Sequence, residues 1–190
     1  MLRPLTAIYD ANVLYPAPLR DLLVRLAAAG LVRARWTDAI HEEWIRNVCR
    51  NNPGLVPERL ARTRRLMNEA VRDCLVTDYE HLIGTLTLPD DDDRHVLAAA
   101  IHANADVILT FNLRDFPDSA LSVFGIQAQH PDEFIEEILR HSFNSVCAVF
   151  KRQRESLRNP HVSANELLST LEKQGLPRSV TLLRQHRNAL

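Results

Sequence analysis

The stretch LPDDDDRHVLAAAIHANADVILTFNLRDF, Leu88 to Phe116, joins four consecutive aspartates to a helical pattern and then to a short apolar run. Val96, Ala99, Ala100 and Ala103 share one helical stripe, which Leu97 and Ile101 widen, so a buried helix is expected. DVILTF then reads as a strand with no polar face. A helix feeding such a strand is half of a parallel α/β unit. TAIYD (6–10) and VRARW (32–36) are short apolar runs of the same kind, separated by segments of helical period. The order strand, helix, strand, helices, helix, strand predicts an α/β fold with a central parallel sheet flanked by helices.

Beyond VFGIQAQHPDEFIEEIL the pattern turns helical to the end. Pro131 suits the first turn of a helix, and Ser163 to Glu166 has capping-box spacing. Gly175 can close that helix and Pro177 can open the next. The chain therefore divides into an α/β region at 1–130 and an all-helical C-terminal extension at 131–190.

The 190 residues are 46% hydrophobic and 25% charged, with a formal net charge of −1, the balance of an ordinary globular protein with no global attraction to nucleic acid. Any basic surface must be local. Three widely spaced cysteines, Cys49, Cys74 and Cys147, fit neither a disulfide framework nor a zinc site on paired Cys, and read as reduced thiols. No apolar run approaches a membrane span and the N-terminus lacks a signal-peptide pattern, so a cytoplasmic location is expected.

An isolated acidic run is most simply a solvated turn. Here other acids converge on it. Ligands of a parallel sheet gather at the carboxyl ends of its strands. Asp10 ends the first strand, Asn112 and Asp115 follow DVILTF, and Asp90 and Asp93 precede the RHVLAAAI helix. A further acid comes from WTDAIHEEWIRNV, where Ile40, Trp44 and Val48 form the expected buried stripe. Glu43 lies about 100° from the stripe centre and Glu42 about 160°, so Glu43 can point along the core edge while Glu42 faces water. Hard oxygen donors in this number suit Mg²⁺ or Mn²⁺. His41, His95 and His102 are near the acids in sequence, but no histidine or cysteine spacing suggests zinc, and a lone helical histidine is more often surface or core than ligand.

With YDANVLYP around Asp10 and Asn12, Glu43 in EEW, LPDDDDRHVLAAAI and LTFNLRDFP, the chain resembles the PIN-domain ribonucleases over about residues 5 to 130, and more narrowly the VapC-type toxins of toxin–antitoxin pairs. Its tail resembles the C-terminal extension of one VapC subgroup. The resemblance implies cleavage of RNA with Mg²⁺ or Mn²⁺, with Asp10, Glu43 and Asp93 catalytic. It implies a metal held by Asp10, Glu43, Asp90 and Asp93, with Asn112 where the general pattern has Asp and Asp115 as partial compensation. It also implies an antitoxin partner, and a second copy of the chain is expected as well.

An RNA surface is available between Arg46 and Arg72, which is rich in arginine. With Leu60, Met67 and Val71 buried, Arg59, Arg62, Arg65 and Arg72 lie away from the core and could hold a phosphate backbone. A merely solvated helix face is the alternative. Two other functions stay open: a haloacid-dehalogenase-like phosphatase using Asp10 as nucleophile, although Asn12 stands where its second acid belongs, and a catalytically inactive interaction module.

Overall fold

The computed structural model describes residues 3–185. Four short parallel strands, β1 (Thr6–Tyr9), β2 (Arg33–Arg35), β3 (Val107–Leu109) and β4 (Gln127–Gln129), form one sheet in the order β2-β1-β3-β4. Ala7 pairs with both Ala34 and Val107, and Val107 pairs with Gln127. The two inner strands, TAIY and VIL, are buried at every residue, which is why they read as continuous apolar runs. The edge strand RAR buries only Ala34, and QAQ buries none of its three residues fully.

Helices cover the sheet. After β1 come α1 (Ala11–Leu14) and α2 (Ala17–Ala28); after β2 come α3 (Asp38–Asn51), α4 (Pro57–Ala70) and α5 (Glu80–Ile83). The helix α6 (Arg94–His102) leads into β3, α7 (Asp118–Leu121) precedes β4, and the tail is α8 (Pro131–Ser156), α9 (Ala164–Lys173) and α10 (Pro177–Arg184). In α6 the five residues Val96 to Ala100 are all buried, a wider contact than a stripe, because the run of alanines lets neighbouring backbones approach closely. Ile101 and Ala103, expected on that stripe, are only half-buried. The capping box of Ser163 and Glu166 forms, and Pro131 and Pro177 start their helices as the sequence suggests.

The tail packs into the same hydrophobic cluster as the sheet: Phe134, Phe150, Leu168, Leu171 and Val180 are all at or below 1% exposure in one continuous core. Buried polar bonds fix its position. Asp132, 3% exposed, accepts from the backbone N–H groups of Arg178 (2.9 Å) and Ser179 (2.8 Å), so a carboxylate of α8 caps α10. Gln153 donates to the Pro18 carbonyl at 2.8 Å. The first turn of α2 has no side-chain cap of its own; Gln174 of the tail takes the Leu19 N–H at 3.1 Å instead.

Sheet order places the functional site. From β1 the chain moves outward to β2, then crosses over to β3 on the other side of β1. The carboxyl ends of β1 and β3 therefore flank a topological switch point, where open parallel sheets bind their ligands. Asp10 and the Thr110–Asn112 segment stand there.

Candidate active site

Asp10, 3% exposed, caps α1 by accepting the Ala11 N–H through Oδ1 at 2.6 Å. Its Oδ2 takes the Asn12 amide at 2.6 Å and the Thr110 hydroxyl at 2.7 Å. Asn12 also donates to Thr110 Oγ1 (2.8 Å) and accepts the Phe111 N–H (3.0 Å), while Thr110 Oγ1 accepts the Asn112 N–H (3.0 Å). Every side-chain donor of Asn12 and Thr110 is thus used where the end of β1 meets the loop after β3. Asn12 stands with Asp10 in the YDANVLYP motif, but the contribution of Thr110 was not legible in advance. A threonine closing an apolar run has no distinguishing pattern, and its partner lies about a hundred residues earlier in the chain.

Glu43 is carried by α3, which starts at the carboxyl end of β2 with Thr37 capping the Ile40 N–H at 3.1 Å. The neighbouring Trp44 is fully buried. Its indole donates to His41 Nδ1 at 3.0 Å, so Nδ1 is an acceptor and the proton sits on Nε2, which faces Asn68 Oδ1 at 3.0 Å. Burial also holds His41 below the ordinary histidine range. The Trp36 indole reaches the same Asn68 oxygen at 2.8 Å. This neutral chain of side chains pins α3 against α4, and on α3 Glu43 is half-buried as its helical angle implies, while Glu42 is exposed.

Asp90 accepts the Asp92 N–H at 2.9 Å and opens a single 3-10 turn, Asp91–Asp93, that delivers Asp93 to the start of α6. Asp91 and Asp92 are exposed. The Asp93 carboxyl is pushed up to about 7, first by partial burial, then by the carboxylates of Asp10, Asp115, Asp90 and Glu43. Burial raises Asp10 to about 6; the Thr110 hydrogen bond opposes this and Glu43 adds to it. The four other acids named from the sequence thus lie close enough to Asp93 to oppose its ionisation. Asn112 is held in the same loop by its backbone. His95 was set aside as a lone helical histidine, yet its Nε2 lies 3.6 Å from Glu43 Oε2, and its Nδ1 is buried with no partner among the described residues. His41 proves to be core, and His102 is exposed.

Among the described residues, no three His, Cys, Asp or Glu side chains converge tightly enough to hold an ion as they stand. The donor chemistry nevertheless suits one: several carboxylates crowd on Asp93 at the switch point, where a divalent cation would relieve the repulsion. The arginines are more dispersed. Arg59 and Arg62 are exposed on α4 without an acidic partner among the described residues, but Arg65 lies 3.6 Å from Glu69 and Arg72 falls beyond the end of α4.

Comparison with known proteins resolves the family. The model of the PIN domain matches residues 6–114, more than half of the chain. The chain belongs to the PIN-domain family. A second model, the VapC50 C-terminal domain, matches residues 131–185, the helical tail. A curated protein of Mycobacterium tuberculosis, named "Putative ribonuclease VapC50", is 40% identical over 82 residues. That alignment covers 43% of this chain and 48% of the relative, so the chain spans about half the length of the protein it matches. No solved structure matches. The PIN domain here holds the whole carboxylate cluster except Asp115, which lies one residue past the matched region. Among the described residues of this PIN-domain protein, no helix is long and apolar enough to cross a membrane.

Proposed function

We propose that the chain is a Mg²⁺- or Mn²⁺-dependent endoribonuclease, the toxin of a toxin–antitoxin pair acting in the cytoplasm. The observation that carries this reading is the set of carboxylates around Asp93, gathered at the switch point of a PIN-domain sheet. Asp10, Glu43, Asp90 and Asp93 would hold the ion, with Asn112 and Asp115 beside them. When bound, such an ion stabilises charge on the phosphodiester and activates water.

The protein's own groups have separate tasks. Thr110 and Asn12 fix both rotation and charge of Asp10. His95 offers a proton-carrying ring beside Glu43 at the edge of the site. Arg59, Arg62 and Arg72, exposed on and just after α4, would bind RNA backbone, with Arg65 partly neutralised by Glu69. The cognate antitoxin would insert an arginine or lysine among the acids, because a guanidinium can take two carboxylate oxygens at once. A second copy of the chain is expected in the active assembly.

The phosphatase alternative is disfavoured because it needs a second acid two residues after Asp10, where Asn12 stands and donates its amide to Asp10 Oδ2. An inactive module would leave RNA whole. The test is to incubate the purified protein with RNA and Mn²⁺ and sequence the ends. Products with 5′-phosphate and 3′-hydroxyl, lost in EDTA and in Asp93→Asn, are expected. Cyclic 2′,3′-phosphate ends or undiminished cleavage in EDTA would overturn the mechanism.

A further inference from the structure

The turn between α9 and α10 touches the loop that follows β3. Gly175, at φ +93°, closes α9, and its positive φ follows from that capping role. Capping does not explain its surroundings. A β-carbon at 175 would lie 3.0 Å from Phe111 Cε1, 3.7 Å from Phe111 Cζ and 3.9 Å from His130 Cε1. The Phe111 ring also meets His130 edge-on, with centroids 5.1 Å apart, and His130 is the N-cap of α8. Two tail elements thus bracket one ring.

Phe111 sits between Thr110, which bonds Asp10, and Asn112, which leads to Asp115. Its backbone N–H is held by Asn12. The tail turn is itself anchored, since Gln174 caps α2 through Leu19. By contrast, Gly30 and Gly125 have φ of +74° and +69° but nothing within 4 Å of an added β-carbon.

We propose that the helical tail is a positioning element for the carboxylate site. Gly175 permits the α9–α10 turn to press on Phe111, and this fixes the Thr110–Asn112 backbone that orients Asp10. Phe111 and Gly175 are positioning residues. The inference deepens the nuclease reading and, for its catalytic consequence, rests on it.

The experiment uses the full chain and the variants Gly175→Ala, Gly30→Ala, Phe111→Leu and Gly175→Ala with Phe111→Leu. Melting temperature, amide hydrogen exchange at Phe111 in metal-free protein, and kcat and KM on RNA with Mn²⁺ are measured. Both glycine variants should lose stability through backbone strain. Gly175→Ala alone should lose protection of the Phe111 amide and about tenfold or more in kcat, with KM nearly unchanged, as a misplaced reacting group does. Combining it with Phe111→Leu makes room for the new methyl and should recover part of the lost kcat. Normal Phe111 protection and kcat in Gly175→Ala, or an equal loss of both in Gly30→Ala, would overturn the proposal. If Gly175→Ala does not fold, Phe111→Leu alone decides: lost amide protection supports the clamp and retained protection refutes it. Should the wild type cleave no RNA, the nuclease reading falls, while amide exchange still decides whether the tail holds the loop.

Discussion

Replacing Asp93 by Asn should inactivate the site and yet stabilise the metal-free protein. Burial and four neighbouring carboxylates raise Asp93 from 3.8 to about 7, so above pH 7 its charge is carried at a cost in the folded state. A shift of that size corresponds to about 4 kcal/mol, and solvent screening of this partly exposed group reduces it to about 1–2 kcal/mol. Asn removes the charge at nearly constant volume. The sign over pH follows from the raised value. Below about pH 4 the group is protonated folded or unfolded and the substitution should gain nothing. Between pH 4 and 7 the unfolded chain ionises first, so the wild type loses stability relative to the variant, and above pH 7 the difference is constant. For a chain of this size 1–2 kcal/mol is roughly 3–6 °C in melting temperature. Melts of both proteins in EDTA at pH 8 and pH 4, repeated at pH 8 with excess Mg²⁺, test it. Mg²⁺ should raise the wild type more than the variant, since binding to the native state adds stability by mass action. A variant that melts lower at pH 8, gains equally at pH 4, or responds to Mg²⁺ as the wild type does would refute the placement of Asp93.

Thr110→Val removes the hydroxyl bond that lowers Asp10, so the acid limb of a pH–rate profile should move to higher pH, with about 1–3 kcal/mol lost in urea melts from stranded partners. Mn²⁺ affinity should fall as pH drops below about 7, because Asp93 at about 7 and Asp10 at about 6 must release protons; titration calorimetry in two buffers reads that release, which should vanish above pH 8. Asp132→Ala strands one buried and one partly buried N–H group of α10 and should cost about 2–4 kcal/mol by denaturant melts. Changing Arg59, Arg62 and Arg72 together to Glu should weaken RNA binding and flatten its salt dependence while the Mg²⁺ response of the melt stays the same.

The acids were legible because chain geometry alone places them. Asp10 ends an apolar run, Asp93 precedes a helix, and Glu43 sits at a calculable angle from Trp44. Strand β4 was not expected: QAQ is three residues on a sheet edge, only partly buried, and gives no alternating signal. Arg72 was placed on a helical face that ends at Ala70. Thr110 and His95 act through partners, Asp10 and Glu43, that only the fold brings close, so no local pattern could reveal them. The tail helices begin at Pro131, and their apolar faces join the core of the sheet. Periodicity reports that a face is buried but not against what.

Strand β4 lies between the two family-matched regions, outside both. During synthesis a nascent chain that has reached residue 116 already carries every acid of the site, but not Gln129, whose carbonyl accepts the Thr110 N–H at 3.1 Å, nor Gly175. Full ordering of the carboxylates would then wait on segments that leave the ribosome later, as folding follows the order of synthesis. On the proposed ribonuclease reading, that delay would shield the translating machinery from the chain's own product. Ribosome-bound chains arrested between Phe116 and Pro131 should leave added RNA intact, and chains released beyond Leu183 should cut it.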